Sequence, residues 1–325
     1  GIEIFKLLPK TNCGECGVPT CLAFAMNLAA GKAELAACPY VSEEAKAKLT
    51  EAAAPPIRPV TIGVGDRALK VGGETVMFRH EKRFENPTGF AILITDTMDD
   101  AEVDARLERF QQLQYERIGL TLRPDLVAVR NDSGDAKKFE SLVNKVKQNS
   151  DVGIILMSSN PDVLAAGLKV CADRKPLLYA VTKDNIDQVA DLAKQNSCPV
   201  TAKASSLEEL TELTTKLTEA GVNDITLDSG SRTLRRAFED QIFIRGAALN
   251  KKFRPLGFPT IVLPCEMTDD PMKEAVIASI FVAKYGSIIV LSDFQGESLF
   301  PLLVERLNIY TDPQRPLATT EGIYD

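Results

Sequence analysis

The sequence predicts an α/β protein in which a (β/α)8 TIM barrel follows a small, mostly helical domain. Eight short apolar runs alternate with eight helical stretches between residues 89 and 312, which is the element count of such a barrel. Three prolines among residues 55–59 separate this repeat from a cysteine-rich segment, because proline cannot continue a helix. The chain of 325 residues, 45% of them hydrophobic, is long enough for one large domain and a small one.

We divide the chain into four segments. Residues 1–58 form the cysteine-rich domain with the proline-rich linker at its end, 59–88 a β-hairpin or linker, 89–312 the barrel, and 313–325 a linker that leads out of it. In the first segment we expect helices at 2–8, at 19–30 and from Ser42 to about residue 53, because Ser42 can cap the third.

The second segment contains a short glycine motif. Gly63 and Gly65 follow the strand-like residues 60–62, as in a dinucleotide fingerprint, but that motif needs a helix next. Gly72-Gly73 interrupts the chain instead, and residues 74–79 alternate like a strand. The sequence therefore favours a β-hairpin, with strands at 60–62 and 74–79, over a nucleotide site.

The barrel elements follow from short apolar runs and from helix caps. The predicted strands are 90–94, 126–129, 152–157, 177–181, 199–202, 225–227, 260–263 and 288–291. The predicted helices are 100–118, 136–148, 161–172, 186–195, 207–220, 232–249, 271–285 and 298–307. Asn160-Pro161 and Asp270-Pro271 are typical helix starts, and Gly221 is a typical residue after a helix end. A doubly wound open sheet could use this alternation, but eight units without a phosphate loop favour a closed barrel.

Four cysteines, Cys13, Cys16, Cys21 and Cys38, have the spacing C-x2-C-x4-C-x16-C. The C-x2-C pair can aim two sulfurs at one point, and Cys21 falls in the first turn of a predicted helix, where a thiolate is favoured. This pattern favours a 4Fe–4S cluster over a zinc site, which usually has a second C-x2-C knuckle. It also favours a cluster over disulfides, which need an oxidising compartment.

The composition excludes several other classes of function. The net charge of −7 and the pI of about 5.1 argue against a nucleic-acid partner or an anionic membrane. The longest apolar run, residues 275–283, is too short to span a bilayer, and residues 1–20 lack a signal-peptide core. Cysteines of this kind indicate a reducing cytoplasm, and the single histidine, His80, limits acid–base chemistry.

Function in such a barrel is expected where the strands end. The polar residues there form a carboxylate-rich, histidine-free set: Thr95, Asp96, Asn131, Asp132, Ser158, Ser159, Lys183, Asp184, Lys203, Asp228, Ser229, Cys265, Glu266, Ser292 and Asp293. They form no recognisable catalytic pair, and loops are polar also because their backbone needs partners. We assign no catalytic residue, and we interpret Cys171, Cys198 and Cys265 as small buried residues or inert thiols.

The cysteine block carries a resemblance to a known family. It runs Lys10-Thr-Asn-Cys-Gly-Glu-Cys-Gly-Val-Pro-Thr-Cys-Leu-Ala-Phe-Ala-Met26 and continues at Ala37-Cys-Pro-Tyr-Val41. With the linker and the barrel, it resembles the large (gamma) subunit of the corrinoid iron–sulfur protein of the reductive acetyl-CoA pathway, also named the acetyl-CoA decarbonylase/synthase gamma subunit. Stretches 78–84, 173–180 and 310–314 resemble the family too, so the resemblance covers essentially the whole chain.

The resemblance implies a methyl carrier. In that family a corrinoid cobalt, as Co(I), takes a methyl group from methyltetrahydrofolate and passes it to acetyl-CoA synthase. The resemblance implies that Cys13, Cys16, Cys21 and Cys38 hold a 4Fe–4S cluster that returns accidentally formed Co(II) to Co(I). The implied partners are a small (delta) subunit in a heterodimer, a methyltetrahydrofolate:corrinoid methyltransferase, acetyl-CoA synthase and a low-potential electron donor.

The family's large subunit continues into a corrinoid-binding domain, and this sequence stops at Asp325, where that domain is expected to begin. We therefore assign no corrinoid-contacting residue. Two other functions stay open: a barrel methyltransferase that binds a pterin and has an accessory cluster, and a plain electron-transfer scaffold. An assay for bound pterin separates the methyltransferase from the others, and the cobalt content in the presence of the partner separates the carrier from the scaffold.

Overall fold

The computed structural model describes residues 2–29, 33–42, 45–46 and 55–312 of the chain. The chain divides into two compact units, Gly1–Pro55 and Pro56–Asp325, each with its own core. The division falls within the proline-rich stretch. No helix among the described residues is long and apolar enough to cross a membrane.

The N-terminal unit is a small helical fold built around cysteine. The elements described in it include α1 (Ile2–Leu7), α2 (Cys21–Ala29) and a 3-10 turn at Leu35–Ala37. The buried core consists of Leu8, Cys21, Phe24, Ala25, Cys38, Val41 and Ala45. Ser42 Oγ accepts a hydrogen bond from the Ala45 amide at 3.2 Å, which is the bond of a helix cap. Most of the third predicted helix lies outside the described residues.

A two-stranded antiparallel hairpin begins the second unit. Its strands are β1 (Val60–Ile62) and β2 (Leu69–Val71), joined through Gly63 and a 3-10 turn at Gly65–Arg67. Val60, Ile62 and Val71 are completely buried in the core inside the barrel. The Gly63 amide donates to the Lys175 carbonyl at 3.1 Å, just before a barrel strand begins, so the hairpin closes the N-terminal end of the barrel.

The second predicted hairpin strand is wrong, because residues 74–79 form no strand. Their polar groups bond instead to a buried arginine. Arg245 Nη2 lies 3.3 Å from the Glu74 carboxylate and donates to the Val76 carbonyl at 2.7 Å. The Arg245 guanidinium also stacks 4.3 Å from the Tyr285 ring centroid. Arg245 is distant in sequence from the segment that it holds. Such a contact cannot be recognised from the local alternation of polar and apolar residues.

Gly72 ends the hairpin in a conformation that only glycine adopts easily. Its φ is +80°, and an added Cβ would collide with the carbonyl oxygen of Arg58. Gly72→Ala is expected to lower the free energy of unfolding by about 2–4 kcal/mol, since a left-handed alanine costs about 1 kcal/mol before any collision. Denaturant unfolding followed by circular dichroism measures this loss.

Gly221→Ala is the matched control for this prediction. Gly221 has φ +86° but nothing within 4 Å of an added Cβ, so only the cost of about 1 kcal/mol for the conformation is expected. Equal losses in the two variants would show that the contact with Arg58 is unimportant.

Eight parallel strands form the barrel. They are β3 (Gly89–Thr95), β6 (Leu126–Arg130), β7 (Gly153–Met157), β8 (Leu177–Val181), β9 (Val200–Lys203), β10 (Ile225–Asp228), β11 (Ile261–Val262) and β12 (Ile288–Leu291). Their order around the sheet is β10-β9-β8-β7-β6-β3-β12-β11. A parallel bridge between Leu227 and Thr260 joins the two ends, so the predicted (β/α)8 barrel is confirmed.

The helices surround the strands in the predicted order. They are α3 (Asp100–Gln112), α4 (Ala136–Asn149), α5 (Pro161–Cys171), α6 (Ile186–Asn196), α7 (Leu207–Glu219), α8 (Leu234–Asn250), α9 (Pro271–Ala283) and α10 (Gly296–Tyr310). Side chains at Asn160 and Asp270 cap α5 and α9, as the sequence predicts.

The helix predicted at 100–118 is too long. It ends at Gln112, and β4 (Tyr115–Arg117) pairs with β5 (Leu120–Leu122) in a separate hairpin. The two turn residues, Ile118 and Gly119, both have positive φ values, 54° and 70°. Such a turn suits the twist of a hairpin. It was not recognised in the sequence because its first position is an isoleucine and not the asparagine of the usual Asn-Gly pair.

Strand side chains alternate between two cores. Ala91, Leu93 and Ala128 belong to the core inside the barrel, and Phe90, Ile92 and Ile94 to the layer between the strands and the helices. Because both faces of the strands are buried, the barrel strands read as continuous apolar runs. At the carboxyl ends of the strands, polar side chains surround the open end of the barrel, which we call the barrel mouth.

Candidate functional site

The loop that carries Cys13 and Cys16 is a sequence of tight turns. Gly14 and Gly17 have φ values of 77° and 83°, and the Gly17 amide donates to the Gly14 carbonyl at 3.0 Å. These glycines allow the chain to reverse between the two cysteines. Asn12 fixes the exit of the loop, because its side-chain oxygen accepts from the Cys21 amide at 2.8 Å.

Cys21 begins α2. Thr20 caps the helix, with its hydroxyl oxygen accepting from the Ala23 amide at 3.1 Å. The helix start predicted near Pro19 and Thr20 is thus close to the observed one, and Cys21 lies in the first turn. The unpaired amides of a helix N-terminus favour the negative charge of a thiolate.

A side-chain hydrogen bond connects the two ends of the cysteine motif. Tyr40 Oη donates to the Glu15 carboxylate at 2.8 Å, and Glu15 lies between Cys13 and Cys16 while Tyr40 follows Cys38 by two residues. The bond with Glu15 and the charge of that carboxylate raise the pKa of Tyr40. Sequence reasoning missed this contact because neither residue type indicates a partner 25 residues away.

The four cysteines differ in exposure. Cys21 and Cys38 are buried in one core, Cys16 packs against that core, and Cys13 is exposed. No group of three or more His, Cys, Asp or Glu side chains in the described part of the chain is placed closely enough to hold a metal ion. Convergence of the four thiolates on one centre therefore stays a prediction. Thiols are the donors that iron–sulfur clusters and zinc both accept.

The other three cysteines lie in the barrel unit. Cys171 and Cys198 are buried, and burial raises the pKa of Cys171 to about 12 and that of Cys198 to about 11. Burial also raises the pKa of Cys265, which lies at the mouth of the barrel next to Glu266. Thiols with raised pKa values are poor nucleophiles and poor metal ligands at neutral pH.

A cavity of about 520 Å³ opens at the carboxyl ends of strands β6 to β9. Its floor is largely apolar, with Met157, Tyr179, Ala180 and Ala204 buried beneath it. Several predicted strand-end residues line it together: Asn131, Asp132, Ser158, Ser159, Lys183, Asp184, Lys203 and Glu266. Thr95, Asp96, Asp228, Ser229, Cys265, Ser292 and Asp293 do not line this cavity.

Asp228, at the end of β10, is the centre of a buried polar network. It is 2% exposed and accepts hydrogen bonds from Tyr179 Oη, from the Gly230 amide at 2.8 Å, and from Arg232 at 2.8 and 3.0 Å. Burial alone would raise the pKa of Asp228, but these hydrogen bonds and the Arg232 charge lower it below its ordinary value. Asp228 is thus held as a carboxylate.

Glu266 extends this network across the mouth. It pairs with Arg232 and lies 3.4 Å from Arg130, which in turn binds Asp132 through two hydrogen bonds of 2.8 and 3.0 Å. The sequence indicated Asp132, Asp228 and Glu266 but missed their arginine partners. Arg130 is the last residue of a strand, and Arg232 follows the end of another strand by one turn. A cation in either position is the sequence signal that could have identified these two partners.

Other strand-end carboxylates serve the loops. Asp96 accepts from the amides of Asp132 and Ser133 at 2.8 and 2.9 Å, and these bonds outweigh burial and lower its pKa. Asp293 pairs with Arg109. These two side chains satisfy backbone and guanidinium groups, as polar loop residues commonly do.

Two family models match the chain. Residues 59–325 match the family described as "CO dehydrogenase/acetyl-CoA synthase delta subunit", and residues 8–40 match "Putative Fe-S cluster". The first name refers to a delta subunit, but relatives that match along almost the whole chain carry other names. Those relatives match the cysteine unit as well as the barrel, so they are the more informative comparison.

Three curated relatives illustrate the match. The corrinoid/iron-sulfur protein large subunit of Moorella thermoacetica is 44% identical, over 99% of this chain and 72% of its own length. The acetyl-CoA decarbonylase/synthase complex subunit gamma of Methanopyrus kandleri is 36% identical, over 99% and 72%. The subunit of the same name from Archaeoglobus fulgidus is also 36% identical, over 99% and 73%.

Solved structures share the barrel fold at low identity. Dihydropteroate synthase from Anaplasma phagocytophilum matches with a TM-score of 0.50 and 14% identity, over 69% of this chain and 100% of that one. Yersinia pestis DHPS matches with a TM-score of 0.50 and 13% identity, over 68% and 95%. At this level of identity the likeness concerns the fold alone.

Proposed function

The chain belongs to the family of corrinoid/iron-sulfur protein large subunits, and from this membership we propose that it is one subunit of a methyl carrier. In this proposal the carrier moves a methyl group from methyltetrahydrofolate, through a separate methyltransferase, to acetyl-CoA synthase. The corrinoid that carries the methyl group is bound by the full-length protein together with its small (delta) subunit. A low-potential donor supplies electrons.

We assign a 4Fe–4S cluster to Cys13, Cys16, Cys21 and Cys38. This assignment rests on the position of all four thiols in one folded unit. The Tyr40–Glu15 hydrogen bond connects the two ends of the motif. When bound, such a cluster supplies single electrons at low potential. The chain's own groups favour it, since Cys21 lies at a helix N-terminus and packs in a buried apolar core with Phe24 and Cys38.

We also propose the four-segment division, with 59–88 as a β-hairpin segment and 313–325, which lies outside the described residues, as a linker, and a cytoplasmic location. Because no histidine is among the described residues that line the barrel mouth, we assign the barrel a role as a platform for the partners rather than as the site of methyl transfer.

Each of the four cysteines is expected to be necessary for the cluster. A single replacement by serine at any one of these positions, Cys13, Cys16, Cys21 or Cys38, should remove most of the iron and acid-labile sulfide. The reason is that a hydroxyl is a poor substitute for a thiolate ligand. Iron and sulfide analysis of anaerobically purified protein measures this.

Alanine at Cys171, Cys198 or Cys265 provides the matched controls and should leave iron and sulfide unchanged. Thermal unfolding of each variant checks that the barrel is intact. Zinc without sulfide in the unmodified protein would contradict the assignment of a cluster.

A further inference from the structure

Lys203 is a cation at the barrel mouth that has no acidic partner among the described residues. It is the last residue of β9, its side chain is half-buried, and its ammonium lies 5.4 Å from the Tyr179 ring centroid. Within the described part of the chain its side chain makes no hydrogen bond and no ion pair. The other cations there are paired: Arg130 with Asp132, Arg232 with Asp228, and Lys183 with Glu209 at 3.6 Å.

The carboxylates around Lys203 are engaged elsewhere. Asp228, opposite Lys203 in the strand register, is saturated by Arg232, Tyr179 and the Gly230 amide. Glu209 accepts from both the amide and the hydroxyl of Ser205, at 2.9 and 2.7 Å. Glu266 is held between two arginines, and Asp184 is exposed at the rim, where solvent and salt screen its charge. The Lys203 charge is thus available to a ligand.

The cavity beside Lys203 suits a small molecule. Its volume of about 520 Å³ is within the range of about 300–1,000 Å³ that ligand pockets occupy. The floor of Met157, Tyr179, Ala180 and Ala204 is apolar. The loops that enter helices α5, α6 and α7 form the rim, so three positive helix ends face the same opening as the ammonium.

We propose that the barrel mouth binds a small organic anion, with its carboxylate or phosphate group on Lys203 and its apolar body on the floor formed by Met157, Tyr179, Ala180 and Ala204. This site is independent of the cysteine unit and lies beyond the methyl-carrier role. The oxyanion replaces the water on the ammonium and gives Lys203 the acidic partner that the described residues do not provide.

Calorimetric titration of the cluster-loaded full chain with simple probes tests the proposal. Benzoate and phenyl phosphate are expected to bind, whereas benzamide, which has the shape of benzoate without its charge, and inorganic phosphate, which has no apolar body, are expected to bind at least about tenfold more weakly. The tighter of benzoate and phenyl phosphate identifies the oxyanion, and either order supports the site.

Two variants and one control assign the binding to Lys203. Lys203→Gln should weaken binding of the tighter probe at least about tenfold, and Lys203→Arg, which keeps the charge, should restore most of it. Lys169→Gln removes an exposed lysine in the last turn of α5, at the far end of the barrel, and should change nothing. All three should retain their unfolding temperature and their iron and sulfide.

Three results would overturn the proposal: equal binding of benzoate and benzamide, undiminished binding by a folded Lys203→Gln variant, or no binding of either anion at millimolar concentration. None of them bears on the cluster, so failure here is distinguishable from failure of the methyl-carrier proposal.

Discussion

Removal of the cluster is expected to leave methylation of a pre-reduced Co(I) corrinoid unchanged and to abolish the recovery of Co(II). In the proposed methyl cycle the cobalt alternates between Co(I) and methyl-Co(III), a two-electron change that consumes no outside electron in each turnover. Co(I) is a strong reductant that occasionally loses one electron, and the resulting Co(II) cannot accept a methyl cation. Only that repair needs a low-potential electron, which a four-thiolate cluster can deliver.

The experiment uses the full-length heterodimer carrying Cys13→Ser, with Cys171→Ala as the matched control. Single-turnover methylation starts once from chemically prepared Co(I), and once from Co(II) with an electron donor. We expect the two proteins to be methylated at equal rates when the reaction starts from Co(I). When it starts from Co(II), we expect only the control to be methylated. Slow methylation from Co(I) by the cluster-free protein, with fold and cobalt content unchanged, would assign the cluster to the transfer step itself.

Loss of the Asp228 charge is expected to destabilise the barrel more than loss of any rim carboxylate. Asp228→Asn keeps the size of the side chain but leaves Arg232, whose side chain is 23% exposed, with Glu266 as its only acidic partner among the residues that the structure describes. Breaking a buried pair costs about 3–5 kcal/mol, and the remaining pair reduces this to about 2–3 kcal/mol. Denaturant unfolding at pH 7 measures the difference.

Asp132→Asn is the control, because Asp132 and its partner Arg130 are both about one-third exposed, at 34% and 30%. Pairs of this kind contribute about 0–1 kcal/mol. If the two variants lose equal stability, the network does not have Asp228 as its centre.

The Asp228 contribution should also depend on pH. Burial opposes ionisation, but the bonds from Arg232, Tyr179 and Gly230 outweigh it, so the folded pKa of Asp228 lies below the unfolded value. A lowered folded pKa means stabilisation that is complete above the ordinary carboxyl pKa of about 3.9 and is lost as the pH falls through the folded value. The gap between wild type and Asp228→Asn should thus be constant above about pH 5 and shrink in more acidic solution.

The sequence predicted the barrel well because burial on both faces leaves a clear signal. The strands β8 and β12 have the predicted bounds, 177–181 and 288–291. Failures occurred where distant groups or turn geometry decide the outcome. The buried Arg245 fixes residues 74–79 without a strand, and the tight turn at Ile118 shortens α3.

The same contrast applies to the candidate sites. Cysteine spacing locates a possible metal centre, and strand ends locate the carboxylates of the mouth. Neither pattern identifies Tyr179 as a partner of Asp228, because the two residues lie on strands separated by β9 and meet only where side chains of alternate strands point inward at the same height. Likewise, the lack of an acidic partner for Lys203 among the described residues is visible only after every nearby carboxylate has been assigned.

The hairpin of β1 and β2 determines at which residue a fragment that contains the barrel has to begin. Val60, Ile62 and Val71 fill the end of the barrel and belong to the same core as Leu126 and Ile155. A fragment that starts at the first barrel strand, near Gly89, would expose that apolar interior to solvent, a state prone to aggregation. The smallest portable module therefore begins at Pro56, and any fusion, domain exchange or expression clone that keeps the barrel has to keep residues 56–88 with it.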